Sequence, residues 1–430
     1  MTTRAQRRWM SFVTVVVLAS CSACSSDPAA VGERGDGGPL QGGGGGGGGG
    51  GGVVDPPDGG GAATVGNTLQ VRGGKYHTCA RGRQGALHCW GQGAYGALGN
   101  DGSARPLPTR VLVVDDAVDV QTGARFSCAR RASGAVFCWG EDLNLQLGGP
   151  PTKDCGDATI DSKCAPVPQV VAGLSNAVQL ALGGRHACAL TSDGAVSCWG
   201  SNDKGQLGKE AAGDQQSPAP VAGLSGVKRI ASGEEHACAL VGSPGRVLCW
   251  GANDASQASG AVADRVTAPR EVPGLTDAVE IAAGGKHTCA RRANGSVACW
   301  GYNYFGQLGN GSTRPTRAAE PQAVRALTNA VEIGLGRYHT CARRADGGVS
   351  CWGNNPKGEL GDGTTTARTE PVNVVSLDDA ASLALGHLHA CAIRAAGPVV
   401  CWGDNLGGQL GIGSINKTEN PTPVPVQNLP

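Results

Sequence analysis

Cysteine and histidine are the residues of this 430-residue chain whose recurrence points to chemistry. Seven cysteines, Cys79, Cys128, Cys188, Cys238, Cys289, Cys341 and Cys391, each have a second cysteine ten residues later, or eleven in the fourth case. Six of the seven carry a histidine two residues upstream: His77, His186, His236, His287, His339 and His389; the second unit has Phe126 there. Metal binding needs several such ligands converging on one ion. One histidine per unit is too dispersed for that, and a position that accepts Phe reads as packing or as a backbone hydrogen bond. No metal and no cofactor are expected.

Oxidised pairing suits the cysteines better. Turn pairs such as Ser133-Gly134, Asp193-Gly194 and Asn294-Gly295 lie midway between the two cysteines of a unit, which predicts a hairpin with a short loop. Antiparallel pairing then sets the cysteines opposite one another, about 4.5–5.5 Å apart at Cα, within reach of a disulfide. The predicted bonds are Cys79–Cys89, Cys128–Cys138, Cys188–Cys198, Cys238–Cys249, Cys289–Cys299, Cys341–Cys351 and Cys391–Cys401. Cys155 and Cys164 lie in an insertion, residues 150–165, and are expected to pinch that loop shut. Asp154, Asp157 and Asp161 in the same loop raise calcium as an alternative, but they lack the alternate-residue spacing of known calcium loops.

The elements that must hold these residues follow from their period. The first cysteines are 49, 60, 50, 51, 52 and 50 residues apart, and a period near fifty means a solenoid or a propeller. Alternating stretches such as Val279-Glu280-Ile281 and Val331-Glu332-Ile333 precede each unit's first cysteine and read as strands. A glycine stands five residues before that cysteine in every unit: Gly74, Gly123, Gly183, Gly233, Gly284, Gly336 and Gly386. A tryptophan directly follows each second cysteine, at Trp90, Trp139, Trp199, Trp250, Trp300, Trp352 and Trp402, so it points to the opposite strand face and reads as filler between neighbouring sheets. No helix-length 3.6-residue pattern occurs, and the fold class is all-β.

Gly-x-x-His, Trp-Gly-x-Asn (Asn202, Asn253, Asn303, Asn355, Asn405) and Gly-Gln-Leu-Gly (Leu98, Leu147, Leu207, Leu308, Leu360, Leu410), repeated at this period, resemble the regulator-of-chromosome-condensation repeat. The resemblance implies a seven-bladed β-propeller over residues 67–430. It also implies a ring closed by strands from both chain ends, with residues 68–71 completing the sheet that residues 421–429 leave open. The fourth unit departs at residues 256–259, Ser-Gln-Ala-Ser, which implies a looser or contact-adapted turn. The family's nucleotide exchange activity on a nuclear GTPase is not carried over, because no unit holds an insertion resembling the exchange wedge. Secreted bacterial relatives, one type of which inhibits β-lactamases, imply protein binding instead.

The N-terminal residues set the compartment. Arg4, Arg7 and Arg8 precede a short apolar run ending in Leu18-Ala19-Ser20-Cys21, which reads as a lipoprotein signal over residues 1–20 with Cys21 as the acylated residue. Cys24 is a poorer candidate, having Cys21 where the box needs an aliphatic residue. Residues 21–66, with eleven consecutive glycines, form a disordered tether of roughly 35–40 Å root-mean-square span. The expected location is the cell envelope, lipid-anchored (outer membrane in a Gram-negative host), or the extracellular surface. The formal charge of +1 becomes slightly negative once the signal is removed, and no basic block is present, so nucleic acid is not an expected partner.

For function, catalytic machinery is absent from the motifs. Glu234, Glu235, Asp346 and Asp362 fall at scattered repeat positions and read as solvated loops rather than a glycosidase pair, and no nucleophile elbow, phosphate loop or zinc-protease motif occurs. The chain is expected to be a monomeric, non-enzymatic scaffold that binds a protein. A carbohydrate-binding propeller is the alternative, and a hydrolase a more remote one. Residues that break the repeat are the candidate contacts: Tyr302, Tyr304 and Phe305 in one loop, and Tyr95 in a comparable place.

Overall fold

The computed structural model describes residues 68–100, 103–150, 152–155, 163–210, 213–260, 263–416 and 418–429. The expected signal, Cys21, Cys24, the tether, Asp157 and Asp161 lie outside the described residues.

Seven four-stranded antiparallel blades follow one another. In blade 1 the innermost strand is Thr68–Gly73, then His77–Gly82, Leu87–Gly91 and the outer Arg105–Arg110, each paired to the next. The tight second turn is set by glycines in the left-handed region, such as Gly134 (φ 83°) and Gly194 (φ 82°), where a side chain is disfavoured. Within this hairpin Cys79 faces Cys89 in register, and all seven blades repeat the pairing as disulfides with Cα atoms 4.0–4.1 Å apart. In the insertion, Cys155 is bonded to Cys164, beside the Lys163–Asp154 ion pair.

The cores lie between blades. Each apolar cluster combines the disulfide of one blade with the tryptophan of the next: Cys79 and Cys89 with Trp139, Cys289 and Cys299 with Trp352, and finally Cys391 and Cys401 with Trp90. That last cluster closes the ring. Each buried indole N–H also donates to a backbone carbonyl in the preceding blade's Gly-Gln-Leu-Gly turn or its counterpart, over 2.8–3.0 Å. The glycine ending that turn leaves no room for a side chain: a Cβ on Gly309 would lie 2.7 Å from Trp352 Nε1, and one on Gly148 or Gly411 2.8 Å from Trp199 or Trp90 Nε1.

Ring closure differs from the expectation. Blade 7 is built from Ala380–Leu385, His389–Arg394, Val399–Gly403 and Asn420–Pro425, so it needs no strand from the N-terminus. Residues 68–71 are already paired within blade 1. The ends are joined by packing and side-chain bonds, including Trp90 and Thr78 to the Gln409 carbonyl.

The fourth unit is not looser. Its Gln257 carbonyl accepts Trp300 Nε1–H, its Oε1 accepts the Ala255 N–H, and Ser256 takes a φ of 65° where five other blades use glycine and blade 2 uses Leu145, at 62°.

The recurring histidines stitch neighbouring blades. His77, His236, His287 and His389 place Nε2 2.8–2.9 Å from Ser127, Thr288, Thr340 and Thr78 of the following blade. Thr78, Thr288 and Thr340 spend their hydroxyl protons on the carbonyls of Gln409, Gln257 and Gln307. The imidazole Nε2–H is therefore the donor across the blade junction. Burial pushes these rings down to a pKa of about 3 to 4, so they are neutral. The acceptor is thus a side-chain hydroxyl, rather than the backbone group expected. At the other three junctions the corresponding residue is alanine: Ala187 after Phe126, Ala237 after His186, Ala390 after His339. His186 has neither ring nitrogen partnered, and His339 has Nε2 unpartnered.

The polar residues of the innermost strands form a second belt. Gln70, Gln179, Glu280 and Glu332 accept the N–H groups of Val120, Ile230, Ile333 and Leu383 in the next blade. Where the acceptor is charged, Arg291 or Arg343 covers it at 2.7 Å.

Candidate partner-binding face

The ring glycines mark one end of the axis. A Cβ on Gly74 would lie 2.8 Å from the Gly123 carbonyl, and the same relation runs through Gly183, Gly233, Gly284, Gly336 and Gly386 back to Gly74. Only glycine lets seven loops crowd this closely. The residues after them are linked by backbone bonds around the axis, among them Lys75 N–H to Ala124, Glu234 N–H to Gly284, Arg337 N–H to His387 and His387 N–H to Gly74.

The long loops after each Cys-Trp-Gly dock on the same end. Gln92, Tyr302 and Asn354 donate their N–H groups to the carbonyls of Tyr76, Lys286 and Tyr338, the residues just before each unit's histidine. The asparagine of Trp-Gly-x-Asn shapes the loop from within in the five blades that carry it: Asn303 Oδ1 accepts the Leu308 N–H, and its Nδ2 donates to the Ser312 carbonyl. These loops are thus rigid brackets that hold out whatever residues sit at their tips.

Blade 5 holds out aromatics. Tyr302 and Tyr304 stack with ring centres 6.3 Å apart, Phe305 meets Tyr304 edge-on at 5.0 Å, and Tyr338 of blade 6 completes the group at 5.3 Å from Phe305. Tyr304 is 51% exposed. The Arg337 guanidinium lies over Tyr338 at 4.9 Å, which carries the cluster inward to the axis. Tyr95, the fourth expected contact, stands apart from this cluster beneath the Arg125 guanidinium at 5.3 Å, with a φ of 61°.

The axial centre is charged. Glu234 is 8% exposed and 4.0 Å from Arg337 Nε, while His387 is 1% exposed with neither ring nitrogen bonded. Burial pushes Glu234 up to about 7 against the pull of Arg337, and it holds His387 well below the usual histidine range, helped by Arg337 and Lys75. Tyr76 lies edge-on to His387 at 6.5 Å, with Lys75 over its ring. Glu234 is therefore not the solvated loop residue expected; the ring of loops encloses it. Asp362 is half-buried, its carboxylate held by Arg368 and Thr364 as a loop brace, whereas Asp346 is exposed.

Sequence reasoning missed Tyr338, Glu234, Arg337 and His387. Their signal was present: the position after the ring glycine reads Lys75, Ala124, Gly184, Glu234, Gly285, Arg337 and His387, the least repetitive column beside the most repetitive one.

An RCC1-like domain model matches residues 154–430, and models of the regulator of chromosome condensation repeat match residues 84–130 and 117–146. The chain belongs to the RCC1-like domain family. It is 29% identical to human E3 ubiquitin-protein ligase HERC2 over 209 residues, 46% of this chain and 4% of that protein. Human probable E3 ubiquitin-protein ligase HERC3 is 38% identical over 200 residues, 45% of this chain and 19% of that protein. Protein pim1 of Schizosaccharomyces pombe is 29% identical over 206 residues, 43% of this chain and 38% of that protein. The chain thus spans well under half the length of these relatives. Among solved structures it is similar to yeast RCC1 (Prp20) bound to Kap60, with TM-score 0.71, 22% identity, and coverage of 80% of this chain and 84% of that one. Human WBSCR16 gives TM-score 0.69 at 20% identity, covering 80% and 94%. These likenesses are to the fold.

Proposed function

We propose that this RCC1-like propeller is a non-enzymatic scaffold, exported and lipid-anchored through Cys21, that binds a protein on the face carrying Tyr302, Tyr304, Phe305 and Tyr338. The observation that carries the reading is the meeting of four aromatic rings from two blades around a half-exposed Tyr304, contiguous with the Arg337 and Glu234 axial centre. Aromatic and arginine anchors on a rigid support suit a protein interface, where little ordering entropy is lost on binding. Within the family, a similar propeller is seen bound to Kap60. In this reading the lipid anchor sets location and the propeller sets selectivity.

The stacked Tyr302 and Tyr304 pair, with planes 12° apart, also favours a sugar ring as a second reading. Quantitative capture from the producing cell's membranes decides between them, comparing the native protein with Tyr304→Ala/Phe305→Ala and with Val375→Asp, whose exposed side chain lies at the other end of blade 6, where Val374 N–H bonds the Val349 carbonyl beside the hairpin turn. The expected result is one protein bound about tenfold more weakly by the aromatic double variant and unchanged by Val375→Asp. Equal capture by all three refutes the face, and glycan-array binding without protein capture favours the sugar.

A further inference from the structure

The axial centre has a composition that scaffolding does not require. Of the seven positions following the ring glycines, those in blades 2, 3 and 5 are Ala124, Gly184 and Gly285, which carry no polar side chain. The three cationic or imidazole side chains, Arg337, His387 and Lys75, come from blades 6, 7 and 1, which are adjacent in the ring. Glu234 of blade 4 reaches Arg337 across blade 5, and Gly285 is small because Arg337 passes over it: a Cβ there would lie 2.9 Å from Arg337 Cγ. Two of these side chains, His387 and Arg337, have donors left over. His387 is almost fully buried with both ring nitrogens unpartnered, and Arg337 Nε has no hydrogen-bond acceptor, its one carboxylate standing 4.0 Å away. A buried polar group left without a partner is costly and calls for a reason, and a ligand that completes it is one such reason.

We propose that this axial pit receives a carboxylate of the docking partner, as a side chain or a chain end, with Arg337 and Lys75 as charged donors and neutral His387 as a third. The proposal rests on the assignment of this face as the binding face. Glu234 competes for the same guanidinium, so the incoming carboxylate is accepted best when Glu234 carries a proton. The other charged groups acting on Glu234 are Lys75, Glu235 and Lys286.

The probe is succinate, titrated into oxidised full-length protein labelled with ¹⁵N at histidine and followed at the ring nitrogens. The expected result is a saturable shift at His387, sparing His77 and His287. Because Glu234 titrates at about 7, affinity should fall about tenfold from pH 6 to pH 8. Glu234→Gln should bind equally at both pH values, and Arg337→Met should not bind. No saturable shift at His387, or an unchanged titration in Arg337→Met, overturns the proposal. So does a site that inorganic phosphate saturates and succinate does not. Partner capture that needs Tyr304 yet is unaffected by Arg337→Met refutes the carboxylate anchor and leaves the face standing.

Discussion

Replacing Ala237 with serine supplies the one hydroxyl that the junction between blades 3 and 4 lacks. His186 approaches this junction fully buried, with both ring nitrogens unpartnered, and the Gln206 carbonyl already accepts Trp250 Nε1–H in the place where Gln257 and Gln307 serve Thr288 and Thr340. A serine at 237 therefore finds an acceptor for its proton and a donor for its oxygen, as Ser127 does between the Ala97 carbonyl and His77. Satisfying a buried donor of this kind is worth about 1–2 kcal/mol, less any crowding by the added atom. The reverse change, Thr340→Ala, strands His287 Nε2, now at 2.8 Å from the hydroxyl, and should cost about 2–3 kcal/mol. Ala187→Ser is the control: the site is buried and Phe126 offers no nitrogen across that junction, so the added hydroxyl gains no donor and should be neutral or cost about 1–2 kcal/mol. Urea unfolding without reductant, followed by tryptophan fluorescence, measures all three. An Ala237→Ser protein no more stable than Ala187→Ser would refute the assignment of the histidines as junction donors.

Three further outcomes are expected. Glu359 occupies the place of glutamine in blade 6, and burial pushes it up to about 8, above its usual 4.5. The folded state then holds the extra proton, so the contribution of Glu359 itself is fully present below pH 4.5 and is lost as pH rises through 8; Glu359→Gln should remove a fall of about 2–4 kcal/mol between pH 5 and pH 9, read as the difference from the native protein by urea unfolding at each pH. Replacing Cys289 and Cys299 together by serine should cost about 2–3 kcal/mol, and non-reducing mass mapping should leave the other seven bonds of the described residues intact. Glu332→Gln should keep the Leu383 N–H bonded and cost under ~1 kcal/mol, as Gln70 and Gln179 already serve two junctions, whereas Glu332→Leu should cost about 2–3 kcal/mol by stranding that N–H and Arg343.

The hairpins and disulfides were legible because both are local: ten residues and a turn glycine place Cys289 opposite Cys299. Strand alternation likewise put the tryptophans on the face opposite the disulfides. What each tryptophan bonds to was not legible, because the acceptor lies in the previous blade, and for Trp90 at the far end of the chain, at Gln409. The histidine acceptor was hidden by its variation among Thr, Ser and Ala, although Phe126 followed by Ala187 carried the clue. The closure error has a physical source. One strand's worth of pairing is equally available to residues 68–71 within blade 1 or across the seam, and only three-dimensional packing decides it. Of the candidate contacts, Tyr302, Tyr304 and Phe305 were visible as neighbours in one loop, but their completion by Tyr338 depends on which blades adjoin. The buried state of Glu234 depends on the whole ring, which no single repeat reveals.

The face assignment is tested most directly by a photo-crosslinking amino acid placed at position 304, and separately at position 375 at the other end of the blades, in the full-length protein expressed in its own cells. Crosslinking to one protein from position 304, and not from 375, is the predicted result. Adducts from 375 alone, or adducts from 304 that carry glycan and no protein, would contradict it.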